Sequence, residues 1–333
     1  MPKSSTKRLV VFVVLLMALV ISPLVVAASK GPEVTFYANI TAVQPIVTAF
    51  SDAFGIPASY TRISSSKILA TVMSEFDAGK LQADVLQAPM SIMRYFKDKG
   101  VLAPYTSPVA ARYPDWAKDP DGVIYSFGIE CMGILYNTDL VSSADAPQHY
   151  ADLADPKWDG KILMPDPSVH SSTISWLVGL KEKIFKDEAT WMTFLEGLAA
   201  NHPMFVRSLG PTSGPIASGE KAIGLSMQKY IITKAPAPLD WACQGEPQLG
   251  SPRGIAITST TDNPEAAQLF INYWLSRNAM EMLANQVGES VVYPGVFPPV
   301  DGMDAAEVIP VRVLSDEEIQ HWGGVFKDIF NIP

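Results

Sequence analysis

Residues 34 to 69 read VTFYANITAVQPIVTAFSDAFGIPASYTRISSSKIL. The first five residues favour a strand, and apolar residues then recur at helical spacing from Val43 to Phe54, where Gly55 ends the helix. Residues 58–63 predict a second strand, and three consecutive serines follow it as N-cap candidates for a second helix. Strands that alternate with helices predict a parallel sheet covered by helices on both faces.

The alternation continues beyond this stretch. Residues 83–88 predict a third strand, and a helix through Met93 and Phe96 ends at Gly100. A long extended segment at 123–137 then leads into a second region. In this region the pattern predicts two strands, at 161–164 and 222–227, and three helices, at 172–180, 190–199 and 214–218. After a Pro- and Gly-rich stretch at 236–252, we expect a strand at 254–258 and a helix from Asn263-Pro264 through Leu275.

This order of elements predicts the fold class: α/β, with two doubly wound lobes joined by two crossing segments. We expect the chain to leave the first lobe near Phe127 and to return near Pro252. Residues 28–127 and 253–333 then form lobe 1, and residues 128–252 form lobe 2. A mature chain of about 300 residues also exceeds the roughly 100 to 200 residues of a typical domain. Two lobes joined in this way make a hinged pair with a cleft between them.

The N-terminus has the pattern of a secretory signal peptide. Three basic residues precede an apolar run at 9–20 and a small-residue stretch at 25–28. The alternative is a membrane anchor, but a spanning helix needs roughly 20 apolar residues, and Ser22 and Pro23 interrupt the run. We therefore predict that residues 1–27 are removed and that the mature protein is periplasmic.

The formal net charge of the whole chain is −9, and removal of a basic signal peptide makes it more negative. An acidic chain lacks the positive surface that nucleic acid binding requires, so no nucleic acid partner is expected. Cys131 and Cys243 both lie in the exported part. In an oxidising compartment they form either one disulfide or two separate buried thiols, and the sequence leaves both possibilities open.

The sequence contains none of the common catalytic motifs. Its four histidines are far apart, and it has no His-Glu-x-x-His motif, no Gly-x-Ser-x-Gly elbow, no P-loop and no Gly-x-Gly-x-x-Gly turn. We therefore expect a protein that is not an enzyme and that needs no cofactor.

Seven short motifs occur in a fixed order along the mature chain. They are SSKILA at 65–70, GVLAPY at 100–105, YNTDL at 136–140, DPKWDGKI at 155–162, DPS at 166–168, ASGE at 217–220 and NPEAA at 263–267. With this set, the mature chain resembles the extracellular solute-binding proteins of ABC importers, in the branch that contains ferric-iron, phosphonate, sugar-phosphate and thiamine binders. The resemblance implies a type II periplasmic-binding-protein fold, closure of two lobes around one small-molecule ligand, and docking of the closed monomer on a membrane permease.

The resemblance also points to Lys229 and Tyr230. The iron binders of the branch use two adjacent tyrosines after a strand as ligands, and this pair falls at Lys229-Tyr230, where one tyrosine is replaced by lysine. An ammonium group repels Fe(III) and attracts an anion. The branch often has an arginine close to position 130, where this chain has Glu130. An acid there makes an ammonium-bearing or hydroxylated ligand conceivable.

Ligand sites of doubly wound sheets lie at the carboxyl ends of strands and at helix N-termini, where free N–H groups favour anions. In lobe 1 this rule selects residues that follow the three strands: Asn39, Ile40, Arg62, Ser64, Ser65, Ser66, Gln87 and Ala88. A guanidinium and three hydroxyls ahead of a helix suit a carboxylate or phosphate group. The alternative for the serines is ordinary helix capping.

In lobe 2 the same rule selects polar residues before helices and after strands: Ser168, His170, Ser171, Ser172, Thr173, Ser208, Ser213, Lys229 and Tyr230. Capping is again the alternative for the hydroxyl groups. Tyr125 and Phe127, near the hinge, either stack on an organic ligand or belong to the core.

Together these features predict the periplasmic binding component of an ABC importer. It would trap a small organic anion or zwitterion, such as a carboxylate, phosphonate or phosphate ester, by hinge closure. Two alternatives stay open: a ferric-iron-binding protein of the same family, and a ligand-sensing input to a receptor.

Overall fold

A computed structural model describes residues 31–333, so the predicted signal peptide lies outside the described residues. The strands are β1 (Val34–Ala38), β2 (Ala58–Arg62), β3 (Val85–Pro89), β4 (Leu102–Ala103), β5 (Tyr125–Asn137), β6 (Ile162–Pro165), β7 (Met204–Val206), β8 (Ile223–Ser226), β9 (Leu239–Trp241), β10 (Gln248–Thr258), β11 (Ser290–Val291) and β12 (Val308–Pro310). The α-helices are α1 (Gln44–Phe54), α2 (Ser65–Asp77), α3 (Met90–Asp98), α4 (Ser171–Leu180), α5 (Glu188–Ala200), α6 (Ser213–Ala217), α7 (Lys229–Thr233), α8 (Pro264–Trp274), α9 (Arg277–Met282) and α10 (Asp316–Ile329).

Within residues 31–333 the strands form one sheet in the order β2-β1-β3-β10-β5-β8-β6-β7. Strand β1 is parallel to β2 and β3, and β6 is parallel to β7 and β8. The long strands β10 and β5 are antiparallel to each other and to their outer neighbours β3 and β8. The pair β10–β5 therefore connects a parallel half of the sheet on the β3 side to another parallel half on the β8 side. This is the arrangement predicted for two α/β lobes with two crossing segments.

Aromatic side chains fill the core of the first half. Phe36 of β1 packs against Phe270 and Trp274 of α8, with ring centroids 5.1 and 5.0 Å apart, and Phe50 of α1 packs against Phe270 at 5.0 Å. Helix α1 buries Ile46, Val47 and Phe50, which recur at helical spacing, and it ends at Gly55 with a φ of 66°. This first half thus follows the sequence pattern closely.

The C-terminal helix packs on the core of the second half. Trp322 and Phe326 of α10 contact Trp191 of α5, with ring centroids 5.4 and 6.1 Å from that of Trp191. The two α10 residues are four positions apart, so they share one helix face. The assignment of all of 253–333 to lobe 1 is therefore corrected for α10, whose apolar face buries against lobe 2. The other lobe boundaries stay a prediction.

Strand β10 begins six residues earlier than the sequence indicates, inside the Pro- and Gly-rich stretch. On the side away from β5, its pairing with β12 ends at Gly250 and its pairing with β3 begins at Arg253. Pro252 lies between these two ladders, where no strand on that side needs a backbone N–H donor. A proline is therefore compatible with this strand, although a proline in the sequence argues against predicting a strand there.

Cys131 and Cys243 are both buried as free thiols, which is the second of the two predicted alternatives. Burial raises the pKa of the Cys131 thiol to about 12. Across residues 31–333, the structure contains no helix that is both long and apolar enough to cross a membrane.

Candidate functional site

The ends of β1, β2 and β3 and the start of α2 bring five predicted site residues together. Ala38 is the register partner of both Arg62 and Gln87, so the loops that follow these strands are neighbours. Gln87 Oε1 accepts hydrogen bonds from the backbone N–H groups of Asn39 and Ile40, at 3.1 and 3.0 Å. Asn39 Nδ2 donates to Ser65 Oγ over 2.7 Å, which connects the network to the first turn of α2.

This network leaves two polar atoms unsatisfied. Among the described residues, Asn39 Oδ1 and Gln87 Nε2 are buried and have no hydrogen-bond partner. A buried polar atom without a partner is uncommon and calls for an explanation, such as a ligand that binds there. Arg62 lies beside this network at the end of β2, and its side chain is exposed.

A second group of charged residues lies on and beside the paired strands β5 and β10, which connect the two halves of the sheet. Arg253 of β10 donates from Nη2 to Glu130 Oε1 of β5 over 2.8 Å and from Nε to Glu289, which precedes β11. The side chains of Arg253 and Glu289 are 4% and 2% exposed, and that of Glu130 is 21% exposed. Arg253 is therefore a buried cation that contacts two carboxylates.

Lys229 and Tyr230 begin α7, directly after β8, and complete this group. The Lys229 ammonium is half-buried and has no hydrogen-bond or ion-pair partner within residues 31–333. Burial lowers the pKa of Lys229 and outweighs the opposing effect of Glu289, and the positive charges of Arg253 and, to a smaller extent, Arg62 lower the pKa further.

The charged residues around Lys229 also determine the pKa of Glu130. Burial alone would raise the pKa of Glu130, but Arg253, Lys229 and His170 together hold it below its ordinary value. Burial, followed by the negative charge of Glu130, raises the pKa of Tyr230 to about 12. Burial lowers the pKa of His170, even though Glu130 opposes this effect. The charge of Glu130 thus acts on Lys229, Tyr230 and His170.

The cavity enclosed by this group is small. Its volume is about 10 Å³, and it is lined by Ile129, Glu130, Cys131, Met227, Gln228, Lys229, Arg253, Gly288, Glu289 and Ser290. A volume of this order holds about one water molecule. Gln228 Oε1 is a further buried acceptor without a partner among the described residues.

A larger cavity, of about 230 Å³, lies next to the same strands but has a different character. Its lining is mainly apolar and includes Trp116, Phe297 and Val308. Ile129 and Ser290 line both cavities, so the apolar cavity and the charged cavity adjoin each other at these two residues.

Several predicted site residues are in the core. The hydroxyl group of Tyr125 accepts from the backbone N–H of Ser107 at 2.9 Å and donates to the carbonyl of Tyr105, and Phe127 is 0% exposed against Trp274. Of the two alternatives left open for Tyr125 and Phe127, packing in the core is therefore the one that the structure has, because both rings are enclosed by core residues. Side chains of four more predicted residues are also buried: Ile40, Ala88, Thr173 and Ser213.

The serine cluster of the second half serves mainly to start α4. Ser168 Oγ donates to Asp166 Oδ1 at 2.6 Å, and His170 is the N-cap residue, whose Nδ1 accepts from the backbone N–H of Thr173 at 3.3 Å. Ser171 and Ser172 form the first turn of this helix, and Ser208 lies half-buried after β7. In the first half, Ser64 is the N-cap residue of α2, which includes Ser66 in its first turn. The side-chain cap of α4 comes from His170, and the serines stay candidates for ligand contacts.

Sequence analysis missed Arg253, Glu289 and Gln228. A single arginine at the start of the apolar run GIAIT at 254–258 was the available signal, since a charge in a buried strand requires a partner. Nothing local marks Glu289 as that partner, because 35 residues separate it from Arg253 along the chain. The contact depends on β11 pairing with β5.

The donor set near the site is limited. Across residues 31–333, no group of three or more His, Cys, Asp or Glu side chains is arranged to hold a metal ion. Tyr230 lies close enough to Glu130 for the negative charge of Glu130 to raise the pKa of its hydroxyl group.

Comparisons with known proteins identify similar chains. The family model described as bacterial extracellular solute-binding protein matches residues 83–321. The curated protein "Iron uptake protein A2" of Synechocystis sp. is 26% identical over 276 residues, which cover 78% of this chain and 77% of that protein. The substrate-binding protein of an ABC transporter from Agrobacterium tumefaciens has a TM-score of 0.73 at 16% identity and matches over 90% of this chain and 96% of its own. Iron-bound HitA from Pseudomonas aeruginosa has a TM-score of 0.67 at 18% identity, over 90% and 98% of the two chains.

Proposed function

Because the chain belongs to the bacterial extracellular solute-binding proteins, we propose that it captures one small organic anion between Arg62 and Lys229 and delivers it to the membrane permease of an ABC importer. Export to the periplasm, a monomeric state and the absence of catalysis are parts of the same proposal.

The observation that carries the proposal is the pair of cations without partners. Neither the Arg62 guanidinium nor the Lys229 ammonium forms an ion pair within residues 31–333, yet the charge of Arg62 acts on Lys229. Two nearby like charges repel each other, and an anion between them would remove this repulsion and form charge-assisted hydrogen bonds with both. The unsatisfied atoms of Asn39 and Gln87 supply an additional acceptor and donor close to Arg62.

The size of the charged cavity supports a hinged mechanism. The cavity beside Lys229 has room for about one water molecule in this structure, so the proposal includes a movement of the two lobes that opens a larger space. The crossing strands β5 and β10 connect the lobes and carry Glu130 and Arg253, so the charged site lies at the axis of such a movement. Ligand that bridges both lobes would then stabilise the closed form.

Ferric iron is the second candidate, and the names of the relatives favour it. The Synechocystis protein is an iron uptake protein, and the Pseudomonas aeruginosa structure is of an iron-bound protein. Tyr230 and Glu130 supply oxygen atoms of the kind that Fe(III) prefers. Lys229 opposes this role, because its ammonium group adds a positive charge beside the same oxygens.

A thermal-shift screen of the mature protein tests the proposal. The ligand set is organic acids, phosphonates, sugar phosphates, thiamine, polyamines, and Fe(III) with and without citrate. A ligand at 100 times its dissociation constant adds about 2.7 kcal/mol of stability. A shift with one class of organic anion supports the proposal. A shift with Fe(III) and with none of the organic anions refutes it in favour of iron.

A further inference from the structure

We infer that the apolar cavity of about 230 Å³ is a second binding site, which takes a neutral apolar molecule of the size of one or two aromatic rings. This site is separate from the proposed anion site, because none of Arg62, Lys229, Asn39 and Gln87 lines the cavity.

The chemistry of the lining favours a molecule without charge. No charged side chain of the described part of the chain lines the cavity, and the single hydroxyl group of the lining belongs to Ser290. The buried polar side-chain atoms that lack a partner within residues 31–333 all belong to residues outside this lining. A charged ligand would therefore lose its hydration here without gaining a partner.

The volume of the cavity sets the size of the molecule. An apolar cavity of about 150 Å³ is large enough to bind benzene. The cavity of about 230 Å³ therefore has room for one substituted ring or for two fused rings. Water is a poor occupant, because a water molecule in a cavity needs several polar partners.

Two aromatic side chains of the lining are exposed. Trp116 is 48% exposed and Phe297 is 45% exposed, whereas Ile129 and Met303 are almost fully buried. The cavity thus has a buried apolar base and an aromatic rim. Aromatic side chains offer a large contact area to an apolar ring, and exposed apolar side chains that cluster around a cavity are typical of a binding site.

The walls of the cavity come from both halves of the sheet. Val296 belongs to the core around Trp274 in the first half, and Met303 belongs to the cluster around Leu135 and Trp241 in the second half. A molecule in the cavity would therefore contact both halves.

Main-chain hydrogen bonds hold these walls in place. Strand β11 pairs with β5, and β12 pairs with β10. In the segment between β11 and β12, the N–H of Val296 donates to the carbonyl of Tyr293 at 3.2 Å, and that of Met303 donates to the carbonyl of Val300 at 3.1 Å. The cavity is therefore formed before any ligand binds, as is usual for small-molecule sites.

Ethylbenzene and benzylammonium form a matched pair of probes, since they have the same shape and differ in charge. Isothermal titration on the mature protein should show that ethylbenzene binds and that benzylammonium binds more weakly by about tenfold or more. Indole, which has two fused neutral rings, should also bind. Ethylbenzene should change the tryptophan fluorescence, and this change should disappear in Trp116→Phe, because Trp116 is the tryptophan of the lining.

Two neighbouring alanines locate the bound probe. Ala306 lines the cavity, whereas Ala305 is exposed and does not. Ala306→Phe fills part of the space and should weaken ethylbenzene binding by about tenfold or more, while Ala305→Phe should leave it unchanged. Trp116→Ala removes part of the rim and should weaken binding by about threefold to tenfold. Tyr95→Ala, a change of an exposed aromatic residue on α3, should have no effect.

Three results would overturn the inference. The first is that neither ethylbenzene nor indole binds at its solubility limit. The second is binding that Ala306→Phe and Trp116→Ala leave unchanged; if Ala306→Phe does not fold, Trp116→Ala decides. The third is a concentration-dependent dimer that Trp116→Ala disperses, because a second copy of the chain would then cover the cavity. The screen for anions uses different ligands and a different site, so either result there leaves this test unaffected.

Discussion

Arg253 donates from Nη2 to Glu130 Oε1 across 2.8 Å, so an ion pair joins the two strands that cross between the lobes. The same guanidinium contacts Glu289, which is almost fully buried. One arginine therefore holds two carboxylates of different segments at the place where the lobes are connected.

Loss of this arginine should destabilise the protein strongly. Arg253→Met leaves Glu289 buried without its cation, and breaking a buried ion pair in this way costs about 3 to 5 kcal/mol. Urea unfolding, followed by tryptophan fluorescence, measures the change. Arg277→Gln is the control, because the Arg277–Glu281 pair is 59% and 43% exposed and should contribute less than about 1 kcal/mol. Equal effects of the two variants would contradict the structural role of Arg253.

The two cations without partners should each contribute to ligand affinity. Arg62→Gln and Lys229→Gln are expected to weaken binding of an organic anion by about 1.5 to 3 kcal/mol, the range for hydrogen bonds to charged groups. Isothermal titration with the anion identified in the ligand screen gives the numbers. Arg94→Gln, an exposed arginine on α3, should have no effect. Unchanged affinity in both site variants would remove the basis of the anion proposal.

Binding of the anion should depend on alkaline pH through Lys229. Burial lowers the pKa of Lys229, so its charge is lost at a lower pH than that of an ordinary lysine. An anion prefers the charged ammonium, and affinity should therefore be constant below this pKa and fall above it, by up to about tenfold per pH unit. Titrations in buffers of different ionisation enthalpy should show proton uptake on binding in that range. In Lys229→Met the decline and the proton uptake should both disappear; their persistence would assign them to another group.

Ferric iron makes a separate optical prediction. If the anion proposal holds, ferric citrate should produce no new visible absorption, because the ammonium group of Lys229 opposes an Fe(III) ion beside Glu130 and Tyr230. A visible band that a chelator removes and that Tyr230→Phe abolishes would identify Tyr230 as an iron ligand.

Adjacent glycines of α10 offer a matched test of its packing. A Cβ on Gly323 would lie 2.6 Å from the backbone oxygen of Ser168, whereas a Cβ on Gly324 meets nothing within 4 Å. Gly323→Ala should therefore destabilise the protein by about 1 to 3 kcal/mol, and Gly324→Ala should stabilise it by up to about 1 kcal/mol through helix propensity. Thermal unfolding compares the two. A stable Gly323→Ala variant would show that α10 does not pack closely on the loop before α4.

Local patterns predict the first lobe well because its elements are short and each has a clear start and end. Strand β1 has the predicted bounds, and α1 ends at Gly55 as expected. The sequence does not predict features that depend on packing or pairing partners far away along the chain. The early start of β10 depends on which strands flank Pro252, and the position of α10 depends on a groove formed by helices more than 100 residues earlier.

The residues of the candidate site likewise fall into two groups: those that local sequence predicts and those that depend on distant pairing. Arg62, Lys229 and Glu130 stand at strand ends or beside a family motif, so position along the chain was enough to select them. Arg253 and Glu289 become a pair only through sheet pairing, and Tyr125 was selected for its place near the crossover although its hydroxyl group is satisfied inside the core.

The position of α10 also affects the order in which the chain can fold as it is synthesised. The core built around β1 and α8 has all its residues by Val296, whereas the core around Trp191 still lacks Phe326 and Phe330. Since protein chains are made from the N-terminus at about 5 to 20 residues per second, the second lobe cannot complete its core before Phe326 and Phe330 have been synthesised. Until then the face of Trp191 that packs against α10 stays uncovered, and apolar surface exposed in this way makes a folding chain prone to aggregate.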